Sequence, residues 1–380
     1  MHNNISIVED CVGCEGCAFI CPANCIKMQQ NQNGFLYPVV DESYCLKCGK
    51  CLSICPAKNK NEFPLPLGCF AGRNRNDNVL GLSTSGGIFS VITDLWIKKE
   101  GYVCGPIFDK DFSVKHVCSK DFSIRDRMRG AKYVQSHLNG VFNEMRKHLS
   151  NGEKVLFSGT PCQVAAVNRI FNFFHEQGLL ATVDIVCHGV PSPLVFKNHI
   201  NGLTKKYGTI LDYKFRDKEL GWKGPQVSIT LENGKKIKDT LDVKLYSKAY
   251  FSTLITRESC FSCQYANKKR PGDLTIGDFW GVENVVPCFN DNKGASLIFV
   301  NSEMGNEILE AIKSDIILYE VPVDLCKQHN LEKPTKRNPK SNLFWKNYHK
   351  SGLEKAYTKA TRRSLISVIK KIVKKLSKNY

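Results

Sequence analysis

Cysteines carry the chemistry of this chain. Cys11, Cys14, Cys17 and Cys21-Pro22 form C-x2-C-x2-C-x3-C-P, and Cys45, Cys48, Cys51 and Cys55-Pro56 repeat it. Three cysteines at this spacing hold one [4Fe-4S] cube. The fourth, followed by proline, ligates the other cube. Cluster one is therefore expected on Cys11, Cys14, Cys17 and Cys55, and cluster two on Cys45, Cys48, Cys51 and Cys21. Structural zinc sites take ligands as separated pairs, not as two triplets each trailed by Cys-Pro. The pattern says that the protein moves single electrons.

Four more cysteines stand at loop-like positions: Cys162, Cys187, Cys260 and Cys263. One C-x2-C plus two distant cysteines suits a third cube or a zinc site. Zinc would be structural. A cube would carry electrons onward, and a two-cluster module needs somewhere to send them, so the cube is the expectation. Cys25, Cys69, Cys104, Cys118, Cys288 and Cys326 remain, and are expected as small buried hydrophobes.

Thr84-Ser85-Gly86-Gly87 precedes a helical pattern over Ile88–Glu100. Backbone donors at such a helix start make an anion or ring-edge site. The plainer alternative is an ordinary capped helix. His188 adjoins Cys187 and is placed to donate a proton. Its plainer role is a hydrogen-bonded support for that ligand.

These groups need elements to position them. Lys154–Gln163 reads as strand, sharp loop, helix start, and Thr182–Pro191 repeats the plan. Two parallel strands delivering cysteines at their carboxyl ends make an α/β site edge. Strands are expected near Tyr102–Phe108, Phe112–Cys118 and Leu297–Asn301, and Asp273–Gly281 reads as a strand running into a glycine turn. Glu232-Asn233-Gly234 joins two strands as a hairpin, and Phe215–Gly221 reads as polar loop. The expected fold is α+β and multidomain. A small bacterial-ferredoxin-like domain (1–60) meets a proline-punctuated linker. A mixed α/β flavin-binding part follows in two pieces (68–150 and 151–326), then a basic helical tail (327–380).

Of the net charge of +18, the stretch from Lys327 onward supplies +14, with 16 Lys/Arg against Glu332 and Glu354. The body is thus nearly balanced, carries no interleaved aromatic platform, and needs no nucleic acid partner. Leu365, Ile369, Ile372 and Leu376 form a stripe among lysines. Such a helix can make peripheral membrane contact, or pack on its own domain. No run of about 18 apolar residues marks a membrane span. No apolar signal region precedes Cys11, and metal-type cysteine spacing implies a reducing cytoplasm.

Several loops together resemble the coenzyme F420 hydrogenase/dehydrogenase beta-subunit family. They are Thr84–Gly87, Gly159-Thr160-Pro161-Cys162-Gln163, Cys187–Pro193, Phe215–Lys218, Cys260-x2-Cys263 and Ile276–Gly281, in that family's order over about residues 68–330. The resemblance implies FAD, a [4Fe-4S] cluster on Cys162, Cys187, Cys260 and Cys263, and hydride exchange with a small organic substrate. It places the flavin ring at Ser85, Gly86 and Gly87, with Gly159 and Thr160 nearby. Lys132 and Tyr133 are assigned to flavin or substrate, and Lys132 joins His188 as a catalytic candidate. The rival is a non-catalytic electron-transfer subunit serving a larger redox complex. Either requires an electron donor or acceptor protein.

Overall fold

The structure, a computed structural model, describes residues 4–6, 8–59, 62–138, 140–224 and 226–362. The N-terminal repeat is also a repeat of backbone shape. Gly13 and Lys47 lie between the first two cysteines of each triplet, with φ of 69° and 52°. Glu15 and Gly49 lie between the second and third cysteines, with φ of 61° and 73°. Left-handed residues at matched points give the two loops the same turn. Short helices Gly16–Ile20 and Lys50–Ser53 then carry the chain to Cys21 and Cys55. Strands β1 (Ile26–Gln30) and β2 (Leu36–Val40) pair antiparallel between the halves.

The remaining strands are β3 (Gly68–Asn74), β4 (Tyr102–Phe108), β5 (Val114–Ser119), β6 (Ser136–His137), β7 (Val155–Gly159), β8 (Leu180–Ile185), β9 (Ile210–Asp217), β10 (Gln226–Leu231), β11 (Lys236–Lys238), β12 (Leu274–Asp278), β13 (Ser296–Val300) and β14 (Ile316–Glu320). Nine make one mixed sheet in the order β14-β3-β13-β12-β8-β7-β4-β5-β6. It draws strands from both 68–150 and 151–326. Its centre, β12-β8-β7-β4, is parallel. Residues of these strands are buried on both faces, as β7 shows with all five positions buried. Helix Ile88–Lys98 packs Ile88, Val91, Ile92 and Trp96 into the same core as Leu156, Val183 and Ile298. A separate antiparallel sheet, β11-β10-β9, contains the expected hairpin.

Several expectations change. The segment read as polar loop from Phe215 begins as the end of β9: Phe215 is buried, and Asp217 accepts from Ser228 Oγ at 2.6 Å. Alternation of Tyr213 and Phe215 inward against charged neighbours was the missed strand signal. The strand expected at Phe112–Cys118 runs from Val114 to Ser119, because Phe112 takes a turn conformation with φ of 61°. Cys104 and Cys118, expected as isolated hydrophobes, lie opposite each other across β4 and β5 and form a disulfide. Cys69 and Cys326 stand 3.0 Å apart at sulfur, and Cys288 is exposed rather than buried. Near the C-terminus, helix Ser341–Thr361 packs Phe344, Tyr348, Ala356 and Ala360 into a core with Phe196 and Tyr246. The Leu365–Leu376 stripe lies outside the described residues.

The N-terminal domain is docked, not merely tethered. Phe19 packs its ring, tilted, against Phe142 and Phe171, at 5.2 and 5.9 Å between centroids. Ser192 Oγ donates to Asn33 O, and the backbone N–H of Leu138 donates to the buried Glu15 carboxylate at 2.7 Å. Gly34 holds φ of +81°, and a Cβ there would stand 2.3 Å from Leu194 Cβ. Gly34→Ala is therefore expected to weaken docking by about 1–3 kcal/mol through overpacking. Limited proteolysis should then cut faster between Asn59 and Gly68, and unchanged cleavage would show that the contact does not hold the domains together.

Candidate functional site

Among the N-terminal cysteines, Cys14 and Cys17 stand near Cys11 and Cys55. Burial raises the Cys14 thiol well above its ordinary pKa, and the nearby charges of Cys17, Cys11 and Cys55 add to this. Cys17 is likewise raised by burial, then by Cys11 and Cys55. Cys21, Cys45, Cys48 and Cys51 line a second small hollow, with Asn4 donating to Cys45 Sγ at 3.6 Å. Cys25 stands there too, 3.4 Å from Cys21 Sγ. Buried thiols such as Cys14 and Cys17 resist ionisation until a cation arrives, which suits metal loading.

Cys162, Cys187, Cys260 and Cys263 also converge. Strands β7 and β8 are parallel neighbours, so the loops after Gly159 and Ile185 leave side by side. The helix after β7 starts at Pro161, capped reciprocally by Thr160 and Gln163. That cap sets Cys162 on the first turn, with Thr160 Oγ1 at 3.3 Å from its sulfur. Gly189 bends the second loop at φ +107°, where a Cβ would meet Thr256 Cγ2 at 2.8 Å. The bend lets Gly189 N donate to Cys187 Sγ and Val190 N donate to Cys260 Sγ, both at 3.3 Å. Burial pushes Cys162 up to about 11 and Cys187 up to about 12, and the other thiols of the set reinforce both. Cys260 and Cys263 are raised for the same first reason, burial. Backbone N–H groups aimed at sulfur are the support that a cluster thiolate needs. Among the described residues, no three His, Cys, Asp or Glu groups stand close enough to share a single ion. The same is true of the N-terminal cysteines, and a cube is wider than one ion.

A buried ion pair braces this set. Asp184, at the end of β8, accepts from Arg270 Nη2 at 2.7 Å, Arg270 Nε at 3.1 Å and Gly272 N at 2.9 Å. Arg270 also donates to the carbonyls of Ile185 and Tyr265. It thereby ties the strand before Cys187 to the loop after Cys263.

Beside the set lies a cavity of about 770 Å³. Ser85, Gly87, Lys132, Tyr133, Gly159, Thr160, Cys187 and His188 all line it. Gly86 does not. It sits behind the wall, where a Cβ would meet Gly72 O at 2.4 Å and Ser296 N at 2.6 Å. Its role is close packing against the sheet. Gly87 takes φ +76° and leads the eleven-residue helix Ile88–Lys98, whose first turn faces the cavity. Ser85 Oγ turns away to donate to Ala295 O at 2.9 Å. Lys218 Nζ holds the loop from behind through Ser85 O and Leu80 O. Ser90 Oγ and His116 Nδ1 are buried at this wall without a hydrogen-bond partner.

Lys132 Nζ donates only to main-chain oxygens, those of Arg129 at 3.0 Å and Met128 at 3.2 Å being the shortest. Burial lowers its pKa to about 7. His188 opens onto the cavity, and loss of water around it depresses its pKa below the usual histidine value. Burial raises the Tyr133 phenol. Arg216 and Asp278 fall within loops that the sequence marks, yet the sequence assigns them no roles. The structure pairs them as an ion pair at the cavity, with Trp222 Nε1 donating to Asp278 Oδ1 at 2.6 Å. Trp280 stacks on Trp222 at 4.6 Å and lies under Arg216 at 5.1 Å. Two aromatic residues flanking a glycine-turn strand end were the available signal.

Residues 152–324 match the protein family described as the C-terminal region of the coenzyme F420 hydrogenase/dehydrogenase beta subunit. Residues 10–59 match the "4Fe-4S dicluster domain" family. No curated protein matches significantly. Among solved structures, the F420-reducing [NiFe] hydrogenase complex from Methanosarcina barkeri, studied by xenon derivatization, aligns with a TM-score of 0.47 and 17% identity. The alignment covers 78% of this chain and 91% of that one. Residues 152–324 are thus similar to the C-terminal region of the coenzyme F420 hydrogenase/dehydrogenase beta subunit, and residues 10–59 to a 4Fe-4S dicluster domain.

Proposed function

We propose that the protein is an iron–sulfur flavoprotein oxidoreductase. Electrons pass singly between the N-terminal clusters and a third [4Fe-4S] cluster on Cys162, Cys187, Cys260 and Cys263. They reach FAD in the adjoining cavity, where a small organic substrate exchanges a hydride. The observation that carries this reading is adjacency: Cys187 is both a member of the four-thiol set and part of the cavity wall. FAD, when bound, supplies the conversion between single electrons and a hydride. The helix start at Gly87 and the Lys132 ammonium would hold its negative groups. Tyr133 and Trp280 offer ring faces, and His188 stands where a proton can be delivered. Cavity size and the unpaired Ser90 hydroxyl fit a large polar ligand.

The test is anaerobic purification with iron, sulfide and flavin counted per chain. About twelve irons and one FAD support the reading, and eight irons without flavin would reject it. The electron-transfer-subunit alternative draws on the distal end of the dicluster domain. There Cys48 is exposed, with Tyr44 and Leu46 beside it 69% and 68% exposed. Substrate turnover by the isolated chain would reject that alternative.

A pH dependence follows from Lys132. An anion bound against it draws the amine into its charged form, so binding takes up a proton above the free-state pKa of about 7. FAD affinity should therefore fall as pH rises from 7 to 9, toward about tenfold per pH unit at the upper end. Fluorescence titration of the flavin-stripped protein measures this. Lys132→Gln should bind FAD more weakly and remove the slope. An unchanged slope would take Lys132 out of the flavin site.

A further inference from the structure

Arg257 is 1% exposed and sits three residues before Cys260. Its guanidinium crosses into the N-terminal domain. Nε donates to Cys11 O at 2.7 Å, Nη2 to Leu36 O at 2.8 Å, and Nη1 to Gln135 Oε1 at 3.3 Å. The flat face rests 4.3 Å from the Tyr37 ring and 5.6 Å from Phe35. Ser259 Oγ donates to the same Cys11 carbonyl at 3.0 Å. Even Gly13 is shaped to it, since a Cβ there would lie 3.0 Å from Nη1.

All three acceptors of this buried cation are neutral. Glu258, the next residue, turns outward to pair with Arg337. A buried charge held only by neutral groups is costly unless an anion completes the site. Cysteine sulfurs are among the anionic groups near it. Cys11 belongs to cluster one, and Arg257 also favours the thiolate of Cys162. A cube with four thiolate ligands is net negative and gains one more negative charge on reduction.

The surrounding contacts all select cluster one. Gln135 donates to Gly13 O, and Gln264, directly after Cys263, donates to Pro56 O beside Cys55. Burial raises the Tyr265 phenol, and the charges of Cys162, Cys14 and Cys263 add to this. Cluster two points the other way, toward exposed Cys48.

We propose that Arg257 is the counter-ion of cluster one at the domain junction, that it raises this cluster's reduction potential, and that cluster one is the cube that exchanges electrons with the Cys162, Cys187, Cys260 and Cys263 site. The last part rests on the third-cluster reading above; the effect on cluster one does not. A positive charge beside a cube favours its reduced, more negative form, so removing the charge lowers the potential. Arg257 is a positioning and tuning residue, because it touches no substrate.

The experiment is a potentiometric titration of the full-length protein, purified anaerobically and followed by electron paramagnetic resonance. The signal missing from Cys17→Ala identifies cluster one. Arg257→Gln should keep its iron, and at the wild-type midpoint the reduced-to-oxidised ratio of cluster one should fall about tenfold. That is a shift of about 59 mV for a one-electron couple. Cluster two should not move. Arg257→Lys, which keeps the charge, should stay near wild type, and Ser259→Ala should move cluster one less than Arg257→Gln. An unmoved cluster one in Arg257→Gln overturns the proposal, as does an equal shift in cluster two. Should Arg257→Gln fail to hold iron, Arg257→Lys decides: a midpoint near wild type supports the proposal, and a tenfold fall overturns it. A missing third-cluster signal in the wild type would sink the third-cluster reading while leaving the cluster-one measurement intact.

Discussion

Cys263→Ala is expected to remove about four irons per chain, the content of one cube, and to stop electrons supplied at the N-terminal clusters from reaching the flavin. The four sulfurs come from three distant stretches, yet each is held by its own local device. The Thr160–Gln163 cap sets Cys162, the Gly189 bend sets Cys187, and the Val190 N–H reaches Cys260. Cys263 follows from the 3-10 turn Glu258–Ser262. A cube with only three thiolates is left with an open corner. The apoprotein fold should survive, because burial raises all four thiols and the set is uncharged when empty. Iron analysis with resonance spectra of the purified variant gives the first reading. Rapid-mixing flavin reduction by a low-potential donor gives the second. Cys288→Ala, on an exposed cysteine, is the control and should change neither. Zinc in place of iron at this site, or full iron in Cys263→Ala, would break the proposed electron route.

Arg270→Met should destabilise the protein by about 3–5 kcal/mol, the usual loss when one member of a buried pair is removed. Both partners are enclosed: Arg270 and Asp184 side chains are 1% and 0% exposed. Burial already holds the Asp184 pKa above its ordinary value, with Arg270 pulling the other way. Without Arg270 that pKa rises further. A carboxyl whose folded pKa is raised favours folding in its protonated form, so its contribution is lost as pH climbs above the ordinary carboxylate range. The deficit of Arg270→Met should thus be largest near neutral pH and shrink toward acid. Thermal unfolding of the flavin-stripped apoprotein across pH measures this. The double variant Arg270→Met with Asp184→Asn should recover most of the loss, since a neutral amide still accepts from Gly272 N–H. If the single variant is as stable as wild type, the pair does not brace the strand end, and the ties to Ile185 and Tyr265 carry nothing.

The chain by itself determined the dicluster domain. Its eight cysteines fall at contiguous, repeated spacings, and turn residues such as Gly13 and Gly49 lie within the same loops, so local geometry is enough. The hairpin around Asn233-Gly234 and the strand-to-loop units ending at Cys162 and Cys187 were legible for the same reason. Strand pairing across the sheet was not. The disulfide of Cys104 and Cys118 depends on the register of β4 against β5, which no spacing states. Gly86 looked like part of a ligand loop, and only its distance from Gly72 O shows that it packs against the sheet. Phe215–Asp217 looked polar because Arg216, Asp217 and Lys218 are charged, and only the burial of Phe215 and the Ser228 bond to Asp217 place it in a strand. Arg257 and Arg270 carried no signal at all. A lone arginine is ordinarily a surface residue, and these two are buried because the sheet order and the docking of the dicluster domain bring carbonyls and a carboxylate around them. Ligand identity is a property of short spacing, whereas charge placement between clusters is a property of long-range packing.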